Sequence, residues 1–370
     1  MASTVHFWNL RASGKAPTHA KLAKLLDALP VADHIAKDDL TAVKLHFGEA
    51  GVTGFLAPHL VKPIIDRLLE LESKPFLTDT ATLYVGQRGN AVDHSLLARR
   101  HGFDPAVLGA PVHMADGLNS TNETTVSIPN GTELTEAHLA ADILNAEAMA
   151  VLSHFKGHIA AGFGGALKNL AMGCATRKGK MHQHMAMGPK LTPENCVGCG
   201  ACIEVCAPGA LRLDADDRIT IDHELCVGCG GCFHACPTKA VDIDWSLERA
   251  RFIRRMMEYA SAVYHNIQKP AVYVNFILDV TPECDCIGFS DAPICPNLGI
   301  AASTDPLALD QACIDLVNQA PALHPSKLPD DYQPGQNKFT TLNKDMPDHL
   351  GLDHAETLGI GSREYVLKHI

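Results

Sequence analysis

At 370 residues, 46% of them hydrophobic and 20% charged, the chain has material for a full-sized core and a smaller second unit. Its formal net charge of -11, which counts the 13 cysteines as neutral, argues against nucleic acid as a partner. No stretch reaches the ~18 apolar residues of a spanning helix, and no basic region followed by an apolar run opens the chain, so we expect a cytoplasmic protein without a membrane span.

Residues 18–29 place Leu22, Leu25, Leu26 and Leu29 at helical spacing behind Thr18, which predicts an amphipathic helix with a threonine cap. The alternating run 42–47 predicts a strand that enters a tight loop at 48–51, and a helix over 60–71 and a strand over 75–80 come next. Then come a helix over 91–101, a short strand over 110–116, a helix over 137–145 and a strand over 148–153. Further on, the pattern gives a long helix over 245–266, a buried strand over 271–280 and a helix over 307–317. Residues 320–350, rich in Pro, Asp, Lys and Asn, read as a surface tail before a short helix over 352–358. Strands alternating with helices imply an α/β fold with a mostly parallel sheet covered on both faces. The domain is expected to be discontinuous, 1–188 and 246–370, with an insert at 189–245.

The stretch before the insert concentrates reactive side chains. His154, Lys156, His158, Lys168 and Asn169 are candidate catalytic residues, because they fall at a strand–loop–helix junction where α/β folds bind ligands. Gly162, Gly164 and Gly165 form a glycine loop that opens a helix near Ala166. Backbone N–H groups at such a start attract a phosphate or carboxylate, and Lys168, Arg177 and Lys178 would reinforce that, so these residues are the candidate cofactor-binding set. The spacing is neither of the common nucleotide fingerprints, and a plain turn or a solvated basic face would give the same letters. Lys180, His182 and His184 continue the basic stretch.

Inside the insert, Cys196, Cys199, Cys202 and Cys206 repeat thirty residues later as Cys226, Cys229, Cys232 and Cys236, with Pro237 directly after. In the two-cluster ferredoxin pattern the fourth cysteine of each run ligates the other cluster. The expected ligand sets are therefore Cys196, Cys199, Cys202 and Cys236 for one [4Fe-4S] cluster, and Cys226, Cys229, Cys232 and Cys206 for the second. Gly198, Gly200, Gly228, Gly230 and Gly231 let backbone N–H groups turn toward the sulfurs. Ala207 stands where a proline usually comes after the fourth cysteine. Structural zinc is commonly spaced as two C-x2-C pairs, which fits two runs of four cysteines less well, and nothing points to a disulfide framework. Downstream, Cys284 and Cys286 with Cys174 make a candidate third metal or reactive-thiol site, against the plain reading of small buried hydrophobes that suits Cys313; Cys295 is a further thiol nearby.

Taken together, His154-Phe-Lys-Gly-His158, Gly162-Phe-Gly-Gly-Ala-Leu-Lys-Asn169, the cysteine repeats, Thr281-Pro-Glu-Cys-Asp-Cys286 and Gly299-Ile-Ala-Ala-Ser-Thr-Asp305 resemble the DUF362 family with a ferredoxin insert. Lys44-Leu-His-Phe-Gly-Glu-Ala-Gly51 and Phe76-Leu-Thr-Asp-Thr-Ala-Thr-Leu-Tyr84 carry the same likeness. The resemblance implies iron–sulfur binding and names no reaction. The leading expectation is an oxidoreductase whose two clusters pass single electrons to a pocket in the α/β domain, which holds a substrate, a flavin or a third metal centre, with a redox partner protein as donor. The alternatives are a ferredoxin-like electron-transfer or accessory subunit, and a metal-dependent site suggested by the faint likeness of Gly165-Ala-Leu-Lys168 to nickel-pincer lactate racemases.

Overall fold

A computed structural model describes residues 2–84, 86–184, 189–206, 208–226, 230–242, 249–347 and 349–370. The architecture is α/β. Its seven-stranded sheet runs, edge to edge, through Tyr365–His369, Ser3–Trp8, Gly299–Ser303, Val272–Ile277, Ala148–His154, Leu40–Lys44 and Lys74–Thr78. Gly299–Ser303 is antiparallel to both its neighbours, and every other pairing is parallel.

The two central strands read as unbroken apolar runs because they are covered on both faces; every residue of Ala148–His154 and of Val272–Ile277 is buried. Alternation then sorts their side chains. Met149, Val151, Tyr273 and Ile277 enter a core built with the helices Ala166–Cys174, Arg249–Asn266, Pro306–Gln319 and Leu350–Thr357. Ala148, Ala150, Leu152, Val272, Val274 and Phe276 enter the opposite core with Thr18–Asp27 and Pro58–Glu70. Each large apolar side chain so buried contributes roughly 1.5–3 kcal/mol.

Several expectations need correction. Thr18 is the first helical residue, and Pro17 holds the cap position with no side-chain bond, so there is no threonine cap. The segment 110–116 makes a single bridge, Val112 to Leu77, in place of a strand. Over 137–145 the helix reading fails in its first half. Glu136–Ala140 is a strand paired with Glu123–Ser127, and only Ala141–Asn145 is helical, because cross-strand packing overrides the helix preference of alanine. The strands Ser3–Trp8, Gly299–Ser303 and Tyr365–His369 were not expected; they widen the sheet by pairing ends of the chain.

Residues 320–350 are no surface tail. Leu328, Tyr332, Phe339 and Met346 are buried in the core, and the wholly buried Lys338 donates to Val317 O at 2.9 Å, Ala320 O at 2.6 Å and the Tyr332 hydroxyl at 2.9 Å. The charge on Lys338 thus satisfies carbonyls left over at the end of helix Pro306–Gln319. The long helix is described from Arg249, and its expected start at 245–248 lies outside the described residues.

The cysteine-rich segment builds a small core of its own from Cys202, Leu211, Ile219, Phe233, Ala240 and Val241. Two short antiparallel pairs frame it, Leu211–Leu213 with Ile219–Ile221 and Val241–Asp242 with Lys190–Leu191. Leu83 and Met181 from the α/β part complete that core.

Candidate functional site

The carboxyl ends of the parallel strands open into a cavity of about 570 Å³, the position and size at which α/β sheets take ligands. Strand Leu40–Lys44 brings Lys44 and His46, Lys74–Thr78 leads to Asp79 and Thr80, and Ala148–His154 delivers Ser153 and His154. The loop after Val272–Ile277 adds Cys286, Ile287 and Gly288.

Its walls are lined by buried charges in pairs. Lys44 Nζ lies 2.9 Å from Asp79 Oδ1 and donates to Asn169 Oδ1 at 2.8 Å. Arg88 joins Glu49 at 3.0 Å and donates to the Tyr84 hydroxyl at 2.6 Å. Lys156 Nζ lies 2.7 Å from Asp285 Oδ2. Burial would raise the carboxyl pKa of Asp79, but Lys44 and the neighbouring His46, His94 and Arg88 hold it well below the usual carboxylate range. Burial and then Arg88 push His46 well below its ordinary value, so that ring is neutral. Asp79 Oδ2 has no hydrogen-bond donor among the described residues. Lys180 pairs with no carboxylate among the described residues. Its Nζ reaches three neutral oxygens, Thr80 Oγ1, Ala81 O and Ala175 O, and burial brings it down to about 8.

The expected catalytic residues separate into different roles. His154 Nδ1 faces Asp285 at 2.9 Å and Nε2 faces Leu278 O at 2.7 Å, so both ring nitrogens are engaged within the protein and neither is turned to a substrate. His154 and Lys156 therefore clamp Asp285 and position the loop that carries the downstream cysteines. Asn169 bridges Lys44 to Leu152 O and Ser153 Oγ. His158 Nδ1 accepts the N–H groups of Ala161 at 2.9 Å and Ala160 at 3.2 Å, and Lys168 Nζ donates to Cys284 Sγ at 3.3 Å.

The glycine loop does not present its helix start to a ligand. Asp310 accepts from Ala166 N at 2.8 Å, Leu167 N at 2.9 Å and Asn275 Nδ2 at 2.7 Å, so the chain's own carboxylate holds the place foreseen for a phosphate. A Cβ on Gly165 would collide with that carboxylate, which is why glycine stands there. Gly164, Gly165 and Lys168 still line the cavity, and Gly162 sits against Met346. Arg177 ties down the 82–89 loop through Thr82 O and Gly89 O, and Lys178 pairs with Glu123 at 3.5 Å; neither lines the cavity. Asp310→Ala should cost about 3 kcal/mol by stripping acceptors from buried donors, measured as a lower midpoint in urea.

Among the described residues, His158, Cys284 and Cys286 bring three metal-capable atoms within 4.8 Å of one another. Cys174 is not among them. It is fully buried beside Asn169 O, and burial pushes its thiol up to about 12. Cys295 is likewise buried in the core. The Cys286 thiol lowers Cys284 well below its ordinary value against the effect of burial, with Lys168 next, while the same partnership raises Cys286. One proton is thus shared by the pair, with the charge on Cys284.

In the cysteine-rich segment, burial raises the Cys202 thiol, and the neighbouring Cys236, then Cys196 and Cys199, raise it further. Burial would raise Cys236 as well, but the backbone N–H groups of Val241, Thr238 and Ala240 pull it below its ordinary value. Cys206, Cys226 and Cys232 line one small hollow with Gly230. Cys229, Gly228 and Ala207 lie outside the described residues. Gly200 and Gly230 take positive φ, +74° and +72°, directly before the short helices Ala201–Glu204 and Gly231–Ala235, a turn that suits glycine. Neighbouring thiols, with backbone N–H groups hydrogen-bonded to the Cys236 sulfur, are the donor chemistry that iron–sulfur groups take.

The residues that sequence reasoning left out of the site are Lys44, His46, Glu49, Asp79, Tyr84 and Arg88. A lysine inside an apolar strand run and an aspartate just past a strand end were the available signals.

Fold and site together define an α/β protein with a charge-lined cavity at its strand ends and a cysteine-rich segment against one wall. The model of the DUF362 family, described as a domain of unknown function, matches residues 41–315, and the chain belongs to that family. No curated protein matches it. Among solved structures it is similar to the lactate racemase apoprotein from Thermoanaerobacterium thermosaccharolyticum, at 13% identity and a TM-score of 0.39 over 75% of this chain and 51% of that one. The chain spans about half the length of that protein. Among the described residues no helix is long and apolar enough to cross a membrane.

Proposed function

We propose that this chain is an iron–sulfur oxidoreductase acting as a reductase. Cys196, Cys199, Cys202 and Cys236 would hold one [4Fe-4S] cluster, Cys226, Cys229, Cys232 and Cys206 the other, and the α/β cavity would take a small-molecule substrate. When bound, such clusters supply single electrons. The observation that carries the reading is Leu83, which belongs at once to the small core around Cys202 and to the cavity wall. His234, two residues before Cys236, fastens the contact, with its Nε2 2.6 Å from Leu83 O. An accessory subunit would have no use for a cavity of this size against its cysteine segment, which favours the reductase.

The chain's own residues have assigned tasks in this reading. Lys44 and Asp79 hold the floor rigid by their mutual charge, and Lys180, whose three N–H groups are held by Thr80, Ala81 and Ala175, would draw an anionic substrate group by its charge below about pH 8. Leu83 and Phe252 exclude water from the wall. A separate redox protein would be the electron donor.

The test is anaerobic purification of the full chain with iron, sulfide and zinc quantification, then electron paramagnetic resonance after dithionite. About eight irons per chain and a reduced-cluster signal are expected. Zinc in place of iron, or iron that dithionite leaves silent, would overturn the reading.

A further inference from the structure

The eight cysteines of the insert leave Cys284 and Cys286 without a task, yet these two stand at the cavity in an environment built for sulfur chemistry. Cys286 lines the cavity and is half-buried, whereas Cys284 lies behind it at 2% exposure. Cys284 Sγ accepts from Lys168 Nζ at 3.3 Å and from the Cys286 backbone N–H at 3.4 Å. The loop that bears them is held by Asp285, locked between His154 and Lys156.

Two features set this group apart from a cation site. A metal-bound imidazole ordinarily donates its remote N–H, but His158 Nδ1 accepts two backbone N–H groups, which leaves the ring proton on Nε2. Lys168 also places a positive charge against Cys284, where a metal ion would be repelled. What remains is a thiol–thiolate pair, two residues apart, with a cation to hold the charge. That is the equipment of disulfide exchange.

We propose that Cys284 and Cys286 form a redox-active dithiol that reduces a small organic disulfide bound in the cavity, with Cys286 as the attacking sulfur and Cys284 as the resolving one. This rests on the cavity being the substrate site of a reductase. Cys286 sulfur attacks one sulfur of the substrate and its proton passes to the Cys284 thiolate. A mixed disulfide forms and the first substrate half leaves as a thiolate. Cys284 then attacks Cys286 sulfur, gives its proton to the second half, and that half leaves as a thiol. One substrate disulfide has become a thiol and a thiolate, and the pair, which began with one proton and one charge, is oxidised to an internal disulfide. A bridge across a single intervening residue is strained and hence easily reduced. Two electrons and one proton restore the thiol–thiolate pair, the electrons coming in this reading from the one-electron iron–sulfur donors of the insert and in the test from dithiothreitol.

The experiment uses the full chain, purified anaerobically and incubated with oxidised glutathione. Free thiols are then capped with N-ethylmaleimide, and the peptide carrying residues 284–286 is weighed. In the wild type that peptide should lose two hydrogens and escape capping until dithiothreitol is added. Cys284→Ser should accumulate one glutathione on Cys286, and Cys286→Ser should react at least about tenfold more slowly, because its remaining sulfur is buried. Capping of both sulfurs in the oxidant-treated wild type would overturn the proposal. So would a stoichiometric metal ion retained by the wild type and lost from both variants. Iron content reports separately on the clusters, so a chain with full iron and inert Cys284 and Cys286 refutes the dithiol alone.

Discussion

Asp79→Asn should destabilise the protein by about 3–5 kcal/mol, the usual cost of leaving one partner of a buried ion pair uncompensated. Lys44 Nζ sits 2.9 Å from Asp79 Oδ1, and the two side chains are 1% and 4% exposed. Arg88 at 4.0 Å and His94 at 3.7 Å look toward the other oxygen, so the carboxylate answers more than one cation. His94 itself is brought down to about 3 by burial and is neutral, and Arg88 keeps Glu49 at 3.0 Å, which leaves Lys44 as the charge stranded by the substitution.

The pH dependence has a definite sign. Because the folded carboxyl is held below its unfolded value of about 3.9, its contribution is present above that value and is lost as the pH falls toward the folded pKa. Urea midpoints at pH 7 and pH 3.5 check this. The wild type should lose part of its advantage over Asp79→Asn at the lower pH. Adding Lys44→Met to Asp79→Asn should recover stability, since removing both charges costs less than stranding one. A single variant as stable as the wild type at pH 7 would show that the pair does not hold the cavity floor.

Cys236→Ser should remove one cluster, about four irons, and leave the other. Cys236 comes after the second C-x2-C-x2-C loop in the chain but acts on Cys202 together with Cys196 and Cys199. If the ligand sets cross over as proposed, Cys196→Ser and Cys236→Ser leave the same residual cluster, and Cys206→Ser leaves the other. Iron counts and the paramagnetic spectrum of each reduced variant check the pairing. A Cys196→Ser spectrum matching that of Cys206→Ser, and differing from that of Cys236→Ser, would show that each run holds its own cluster.

How far the site was legible depended on the distance in sequence over which each contact acts. His158 and Lys168 were singled out as neighbours in the chain, and both reach the cavity. Arg177 and Lys178 had the same local credentials, yet side chains and carbonyls from distant segments claim them, at Thr82, Gly89 and Glu123. The glycine loop looked ready for an anion until Asp310, from a helix 144 residues further on, took its N–H groups. His154 is a candidate catalytic residue by its place in the sequence, yet Asp285 and Leu278 face both of its nitrogens.

By itself the order of residues determined the features that depend on spacing over a few positions. These are the amphipathic helices, the doubly buried central strands Ala148–His154 and Val272–Ile277, and the doubled cysteine run with its glycine turns. Such patterns are local because helix faces, strand pleats and ligand loops repeat every few residues. Only the tertiary structure decided that Ser3–Trp8 and Tyr365–His369 lie side by side, that 320–350 enters the core, that Lys44 finds Asp79, and that Cys284 and Cys286 group with His158 and without Cys174. Those partners lie tens to hundreds of residues apart, so nothing in a local window marks one for the other until the sheet order has brought them together.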